Sequence, residues 1–286
     1  MFVSVWPTLK VRLLPSWKVI EDMSCRDSFA AAEKVIGEHR GEQFFRGEND
    51  RAFARRVFTT DPFDYMAVVR QISFNGLGSV LDAGCGFGQW SLALAETNES
   101  VVALDVSHER VRFLSEVLEN SGTSNVQTWV ADLSRTGLLA NEFDGVFSYG
   151  VVFCTPWRQT LREFHRILRP GGSLYFNATS FDWFAFLWQT RHNECSDYKP
   201  RSVVANALMN TLLYEDGDLA WSGQIVMTPD ETVSFLEANG FRDVEWKWQE
   251  SLASRDGRSL QGVDASRGLF EVRATKASAP GRHIFA

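Results

Sequence analysis

Cysteine is scarce and unpatterned in this chain. Only four occur in 286 residues, at positions 25, 85, 154 and 195, with no CxxC pair and nothing like the density of a disulfide-stapled secreted scaffold. They read as reduced thiols, so a cytoplasmic protein is expected. No apolar run is long enough to cross a bilayer. The first residues also lack the continuous hydrophobic stretch and small-residue cleavage site of a secretory signal. Lys10, Arg12 and Lys18 precede the first acid, Glu21, but weak amphipathicity and scarce serine argue against a transit peptide. Positive charge is missing as well: 29 Lys and Arg stand against 36 Asp and Glu, for a net charge of −7. A phosphate backbone therefore has no electrostatic footprint to bind, and no nucleic-acid partner is expected. The run with Arg51, Arg55 and Arg56 reads as solvated surface. Histidine and cysteine nowhere fall at metal-ligand spacing, so no metal is expected, and there is no internal repeat.

What is present suits one large α/β core: 44% of residues are hydrophobic and 23% charged. The most informative stretch is Val80-Leu81-Asp82-Ala83-Gly84-Cys85-Gly86-Phe87-Gly88, an apolar strand that runs through one acid into three alternating glycines. Glycines at 84, 86 and 88 let the backbone turn sharply and approach a ligand without a Cβ in the way. Cys85 sits between them as a small side chain that fits. A dinucleotide fingerprint wants its third glycine three residues after the second. Here that position is Gln89, and the glycine comes one residue early. Asp82 would repel a pyrophosphate but hold an α-ammonium group. The loop therefore suits S-adenosylmethionine better than NAD.

Two further strands end in acids. The segment 101–105 closes on Asp105, 23 residues after Asp82, where a doubly wound fold places the carboxylate that grips a ribose diol. The segment 126–131 leads to Asp132, placed to accept from an exocyclic adenine amine. With these three acids in order, the sequence resembles the class I S-adenosylmethionine-dependent methyltransferases, closely over 76–178 and more loosely over 228–247. The family's glycine motif matches Asp82, Gly84, Gly86 and Gly88, its second motif Asp105 and its adenine-contacting acid Asp132. Val106 and Leu133 follow as neighbours at the cofactor. The segment 143–149, FDGVFSY, resembles the family's fourth strand, and LREFHRILRPGG, 161–172, resembles the helix and turn before the fifth. The resemblance implies a doubly wound, mostly parallel seven-stranded sheet and methyl transfer from S-adenosylmethionine.

Organisation follows from these anchors. Residues 1–60 are expected to form an N-terminal helical cap with helices near 29–37 and 52–58, followed by a cofactor-binding core over 61–178. A lid insertion after strand five, over 179–228, is rich in aromatics, among them Phe181, Trp183, Phe184, Phe186, Trp188, Tyr198 and Trp221. The rest of the core, 229–275, supplies a helix from Pro229 and strands at 241–248 and 270–274, ahead of a tail at 276–286. Ligands of open α/β sheets bind beyond the carboxyl ends of the strands, so the acceptor pocket is expected to be walled by Phe153, Trp157, Trp183 and Phe186. His192 and Tyr149 are the candidate catalytic residues, and Tyr149 also falls beside the cofactor. The chain has Phe153-Cys154-Thr155-Pro156-Trp157 where many small-molecule methyltransferases carry histidines, and it lacks the Asn/Asp-Pro-Pro-aromatic signature of base methylation. A small organic acceptor follows, with oxygen slightly favoured over nitrogen or carbon. Two other readings stay open: a nicotinamide-dependent oxidoreductase, and a non-catalytic subunit that binds S-adenosylmethionine.

Overall fold

A computed structural model describes residues 23–37, 43–192, 194–196, 198–217, 223–249 and 268–278. The first-twenty basic bias, Trp221 and most of the tail lie outside the described residues. Seven strands form one sheet: β1 (Ser79–Ala83), β2 (Ser100–Asp105), β3 (Val126–Val130), β4 (Phe143–Ser148), β5 (Leu168–Thr179), β6 (Phe241–Trp248) and β7 (Leu269–Lys276). Their order is β3-β2-β1-β4-β5-β7-β6. The first five strands run parallel and β7 is antiparallel to both β5 and β6, so the sheet is doubly wound and mostly parallel as the sequence suggests.

Alternation along the strands builds a core on each side. Val80, Val101, Ala103, Phe147 and Tyr175 join the cluster covered by the N-terminal helices. Their neighbours Leu81, Leu104, Val146, Leu174 and Phe176 join the cluster on the other face. The first face carries α1 (Met23–Gly37), α2 (Glu48–Phe58), α3 (Pro62–Gln71), α4 (Gln89–Ala95) and α5 (His108–Ser121). The second carries α6 (Trp157–Ile167) and α9 (Pro229–Ala238). The described N-terminal helices thus share the core of the sheet. Helix α3 was not anticipated from the sequence, although Asp61 caps Phe63 N–H at 3.0 Å and Pro62 opens the first turn, both ordinary start signals. Pro170-Gly171-Gly172, expected as the turn before strand five, lies within β5, and the pairing register with β4 shifts between Phe143 and Gly145.

The insertion folds as a helical pair, α7 (Phe181–Thr190) and α8 (Pro200–Glu215). Trp183, Phe184, Phe186, Leu187, Val204 and Ala207 form their own apolar cluster. These aromatics close the helices on one another.

Gly88 shows why the third glycine is where it is. Its φ is +94°, and a Cβ there would collide with the side chain of Leu114 on α5. Gly88→Ala is expected to cost about 2–3 kcal/mol of stability, from left-handed backbone strain and overpacking together. The midpoint of urea unfolding reads that loss. Gly86→Ala is the control: the Gly86 Cβ position has no protein atom within 4 Å, so its cost falls near 1 kcal/mol.

Candidate functional site

A cavity of about 400 Å³ opens at the carboxyl ends of β1 to β4, the crevice where open α/β sheets take ligands. Gly84, Cys85 and Gly86 line it from the loop after β1, Asp105, Val106 and Ser107 after β2, and Asp132 and Leu133 beyond β3. Tyr149 to Val151 and Phe153 to Pro156 line it after β4, and residues of α2 and the turn before it form the roof.

Asp105 organises the side of the cavity next to the glycine loop. One carboxylate oxygen accepts from Gly86 N–H at 2.9 Å and the other from Ser107 N–H at 2.8 Å. Each oxygen keeps a lone pair, and the side chain is only 8% exposed. With the second glycine tied to this carboxylate and open space at the Gly86 Cβ position, the loop is a cradle that a side chain would fill. Asp132 accepts from Ser134 N–H and Oγ on one oxygen, both at 2.7 Å. Val106, 69% exposed, offers an apolar face between the two acids. A ribose, an adenine and a chain approaching glycine backbone all fit these acceptors and surfaces.

Asp82 and Gly88 stand elsewhere than the sequence reading placed them. Asp82 is 1% exposed, is absent from the cavity lining and accepts from Ser91 Oγ at 2.6 Å. It supports the loop from beneath, and burial pushes its carboxyl up to about 7, with Asp105 adding to the shift and Ser91 opposing it. Gly88 is likewise a packing glycine outside the cavity. Burial pushes the Cys85 thiol well above its ordinary range, which suits an inert filler.

The acceptor side departs further from expectation. Phe153 and Tyr149 line the cavity, whereas Trp157, Trp183, Phe186 and His192 do not. Trp157 is 1% exposed and meets Phe235 of α9 edge-on at 5.1 Å. Trp183 and Phe186 stack on each other at 5.7 Å in the helical pair. His192 is exposed, lies 5.6 Å from the Phe186 ring and is not among the residues that line the cavity. Of the insertion 179–228, Gln224 alone among the described residues lines the cavity, and α2 supplies the roof: Asp50, Phe53, Arg56 and Val57 face the cavity, and from α3 comes Tyr65. The roof is tied down by Arg110 to Asp50 at 2.9 Å and Arg46 to Glu109 at 3.0 Å. Phe53 meets Phe87 at 6.1 Å, and the Arg110 guanidinium lies 5.0 Å over the same Phe87 ring. The basic run of α2, expected to be plain surface, therefore contributes Arg56 to the cavity. The helical spacing of Phe53, Arg56 and Val57 was the available signal.

Tyr149 is held as a neutral wall. Gln249 Nε2 donates to its oxygen at 2.9 Å, Asn177 Nδ2 donates to Gln249 Oε1 at 3.1 Å, and Gly150 N–H donates to Asn177 Oδ1 at 2.6 Å. Burial drives the phenol pKa upward, and the ring packs 4.8 Å from Trp90, which in turn meets Tyr65 at 4.8 Å. The Cys154 thiol is pushed up to about 12, also by burial. Among the described residues, no cluster of three or more His, Cys, Asp or Glu side chains could hold a metal ion, and no helix is long and apolar enough to cross a membrane.

Comparison with known proteins agrees with this geometry. Residues 80–172 match a methyltransferase domain family model. The chain is 35% identical over 193 residues to a malonyl-[acyl-carrier protein] O-methyltransferase of Pseudescherichia vulneris, a match covering 66% of this chain and 65% of that protein. It is 31% identical over 100 residues to a demethylmenaquinone methyltransferase of Listeria welshimeri, covering 34% and 42% respectively. Both matches thus span less than two thirds of the relative. Among solved structures, a geranyl diphosphate methyltransferase in complex with S-adenosylmethionine superposes with a TM-score of 0.52 at 13% identity, over 86% of this chain and 95% of that one, a likeness of fold. Sheet order, glycine cradle, strand-end carboxylates and the matched domain agree: residues 80–172 carry a methyltransferase domain, and these findings support the class I S-adenosylmethionine-dependent methyltransferase family.

Proposed function

We propose that the protein transfers a methyl group from S-adenosylmethionine to a small organic acceptor with an apolar body, with oxygen the favoured acceptor atom. The observation that carries this reading is the Asp105 carboxylate. It holds Gly86 N–H and Ser107 N–H at the floor of a cavity that continues into a chamber of Phe53, Tyr65, Trp90, Tyr149 and Phe153. S-adenosylmethionine, when bound, would supply an electrophilic methyl on a sulfonium: the bond to the acceptor oxygen would form as the methyl–sulfur bond breaks, with S-adenosylhomocysteine leaving and the acceptor's proton released to solvent. The residues of this chain then bind, orient and exclude water, because methyl transfer gains most from alignment of the reacting atoms. Tyr149, neutral and braced by Gln249, shapes the chamber and does not take a proton. One relative's name supports an oxygen acceptor. That relative's name gives a malonyl group joined to a carrier protein as its substrate, whereas the aromatic lining of this cavity favours a small molecule with an apolar body. A cytoplasmic location belongs to the same reading, supported by four cysteines that stand outside any disulfide.

Thermal unfolding with S-adenosylmethionine, S-adenosylhomocysteine, NAD and NADP in parallel tests the cofactor. A ligand at one hundred times its Kd adds about 2.7 kcal/mol, a rise of several degrees at this chain length. Stabilisation by the two adenosyl compounds alone is expected. A shift with NAD or NADP alone would instead make the protein an oxidoreductase. Binding of the adenosyl compounds without transfer of labelled methyl to any acceptor of a broad panel would favour a non-catalytic subunit.

A further inference from the structure

Buried polar side-chain atoms are nearly always hydrogen-bonded, so the exceptions point to what is missing. Among the described residues four such atoms lack a partner: Arg51 Nε, Thr179 Oγ1, Gln89 Oε1 and Gln224 Oε1. The two glutamines line the same cavity. Gln89 is only 9% exposed and opens α4 beside Trp90, within the aromatic chamber. Gln224 enters from another wall. Its successor Ile225 donates its N–H to Phe153 O at 2.7 Å, and Asn210 Nδ2 donates to the Gln224 carbonyl at 3.3 Å, so the backbone beneath this carboxamide is anchored.

We propose that the methyl acceptor is a phenol, alcohol or amine on an apolar body, and that Oε1 of Gln89 or Oε1 of Gln224 accepts the hydrogen bond of its hydroxyl, an amine having N–H groups for both; this rests on the methyltransferase reading above. A carboxamide oxygen can only accept, so a ligand that satisfies both oxygens must donate. A carboxylate acceptor would bring more oxygens to oxygens already unpaired. Two of the cations on this cavity are meanwhile engaged, Arg110 by Asp50 and Arg46 by Glu109, and Arg56 lays its guanidinium 5.2 Å over the Phe53 ring. The surrounding rings of Phe53, Tyr65, Trp90, Tyr149 and Phe153 supply the apolar complement. The arrangement separates acceptors by what they donate, which a purely hydrophobic pocket does poorly.

The test uses the full chain saturated with S-adenosylhomocysteine and four probes of one shape: naphthol, naphthylamine, methoxynaphthalene and naphthoic acid, each titrated calorimetrically. Naphthol and naphthylamine are expected to bind about tenfold or more tighter than methoxynaphthalene, the size of one satisfied buried acceptor. In at least one of Gln224→Leu and Gln89→Leu the naphthol preference should fall below about threefold, because the group that reads the donor is gone. Neither variant should lose affinity for S-adenosylhomocysteine or melt earlier than wild type, since neither oxygen has a protein partner to lose. A merely structural role would lower the melting temperature. Tightest binding of naphthoic acid, equal or absent binding of all four probes, or a preference that survives in both variants would overturn the proposal. Weaker S-adenosylhomocysteine binding in Gln89→Leu would remove Gln89 from the acceptor site. If wild type fails to bind S-adenosylhomocysteine at all, it is the underlying methyltransferase reading that falls.

Discussion

Asp105→Ala is expected to weaken S-adenosylhomocysteine binding by about 100-fold or more while leaving the chain folded. Each hydrogen bond to a charged group contributes about 1.5–3 kcal/mol, and every 1.4 kcal/mol is tenfold in affinity. The variant loses the carboxylate's remaining lone pairs for a ribose diol. It also releases Gly86 N–H and Ser107 N–H, which the carboxylate holds at 2.9 and 2.8 Å. The glycine cradle then has no anchor at its second glycine, so contacts beyond the ribose weaken too. The sheet register around Asp105 is set by backbone pairing with β1 and β3, which the substitution leaves alone, so the far-ultraviolet spectrum should be unchanged. Isothermal titration of wild type, Asp105→Ala and Asp105→Asn reads the effect. Asparagine should fall between them, because it offers one accepting oxygen in place of two. Unchanged affinity in Asp105→Ala would reject the ribose assignment.

The second large effect is one of pH on stability, and it comes from Asp82. Its carboxyl is raised from 3.8 to about 7, first by burial and then by the nearby Asp105 charge, against the hydrogen bond from Ser91. Below the ordinary value both folded and unfolded chains carry the proton, and Asp82 contributes no pH dependence. Between 3.8 and about 7 the unfolded chain releases the proton while the folded chain keeps it, so stability falls as pH rises. Above about 7 the folded form must hold a buried anion and the loss is complete, on the order of 4 kcal/mol at 1.36 kcal/mol per pH unit. Asp82→Asn is neutral at every pH and its oxygen can still accept from Ser91. It should therefore be more stable than wild type at pH ~8, with an advantage that shrinks toward pH ~4. Urea midpoints across that range measure it. Parallel pH profiles for the two proteins would show that burial does not govern this carboxyl.

Much of the cofactor half was legible in the chain itself. The apolar strands, their terminal acids and the glycine spacing are local patterns, and each strand in a doubly wound sheet delivers its terminal residues to the same edge. Asp105 and Asp132 therefore meet in space because the topology brings strand ends together, whatever the intervening helices contain. Asp82 and Gly88 share the motif, yet the structure turns them away from the cavity. One has its oxygen toward Ser91, and the other sits where only a hydrogen fits against Leu114. A motif fixes residue types at a position, but which side of the backbone faces the ligand depends on neighbours far along the chain.

The rest of the cavity was legible only in Tyr149 and Phe153. An aromatic run such as 181–188 satisfies a lid and a packed helical pair equally well, because both need rings at helical spacing. Only the packing of α7 on α8 shows that Trp183 and Phe186 close on Val204 and Ala207. The roof instead comes from α2, a short and highly charged helix whose role is set by ion pairs that span 60 residues, such as Asp50 with Arg110.

The sequence by itself determined the sheet, the methyltransferase domain and the placing of Asp105 at a strand end beside the glycine loop, since periodicity and the glycine-acid spacing are local and survive without knowledge of any distant contact. Only the tertiary structure decided what faces the methyl acceptor. Phe53 and Arg56 of α2, Gln89 of α4 and Gln224 come from three separate stretches of chain, and nothing in the local sequence records that the fold brings those stretches to one cavity.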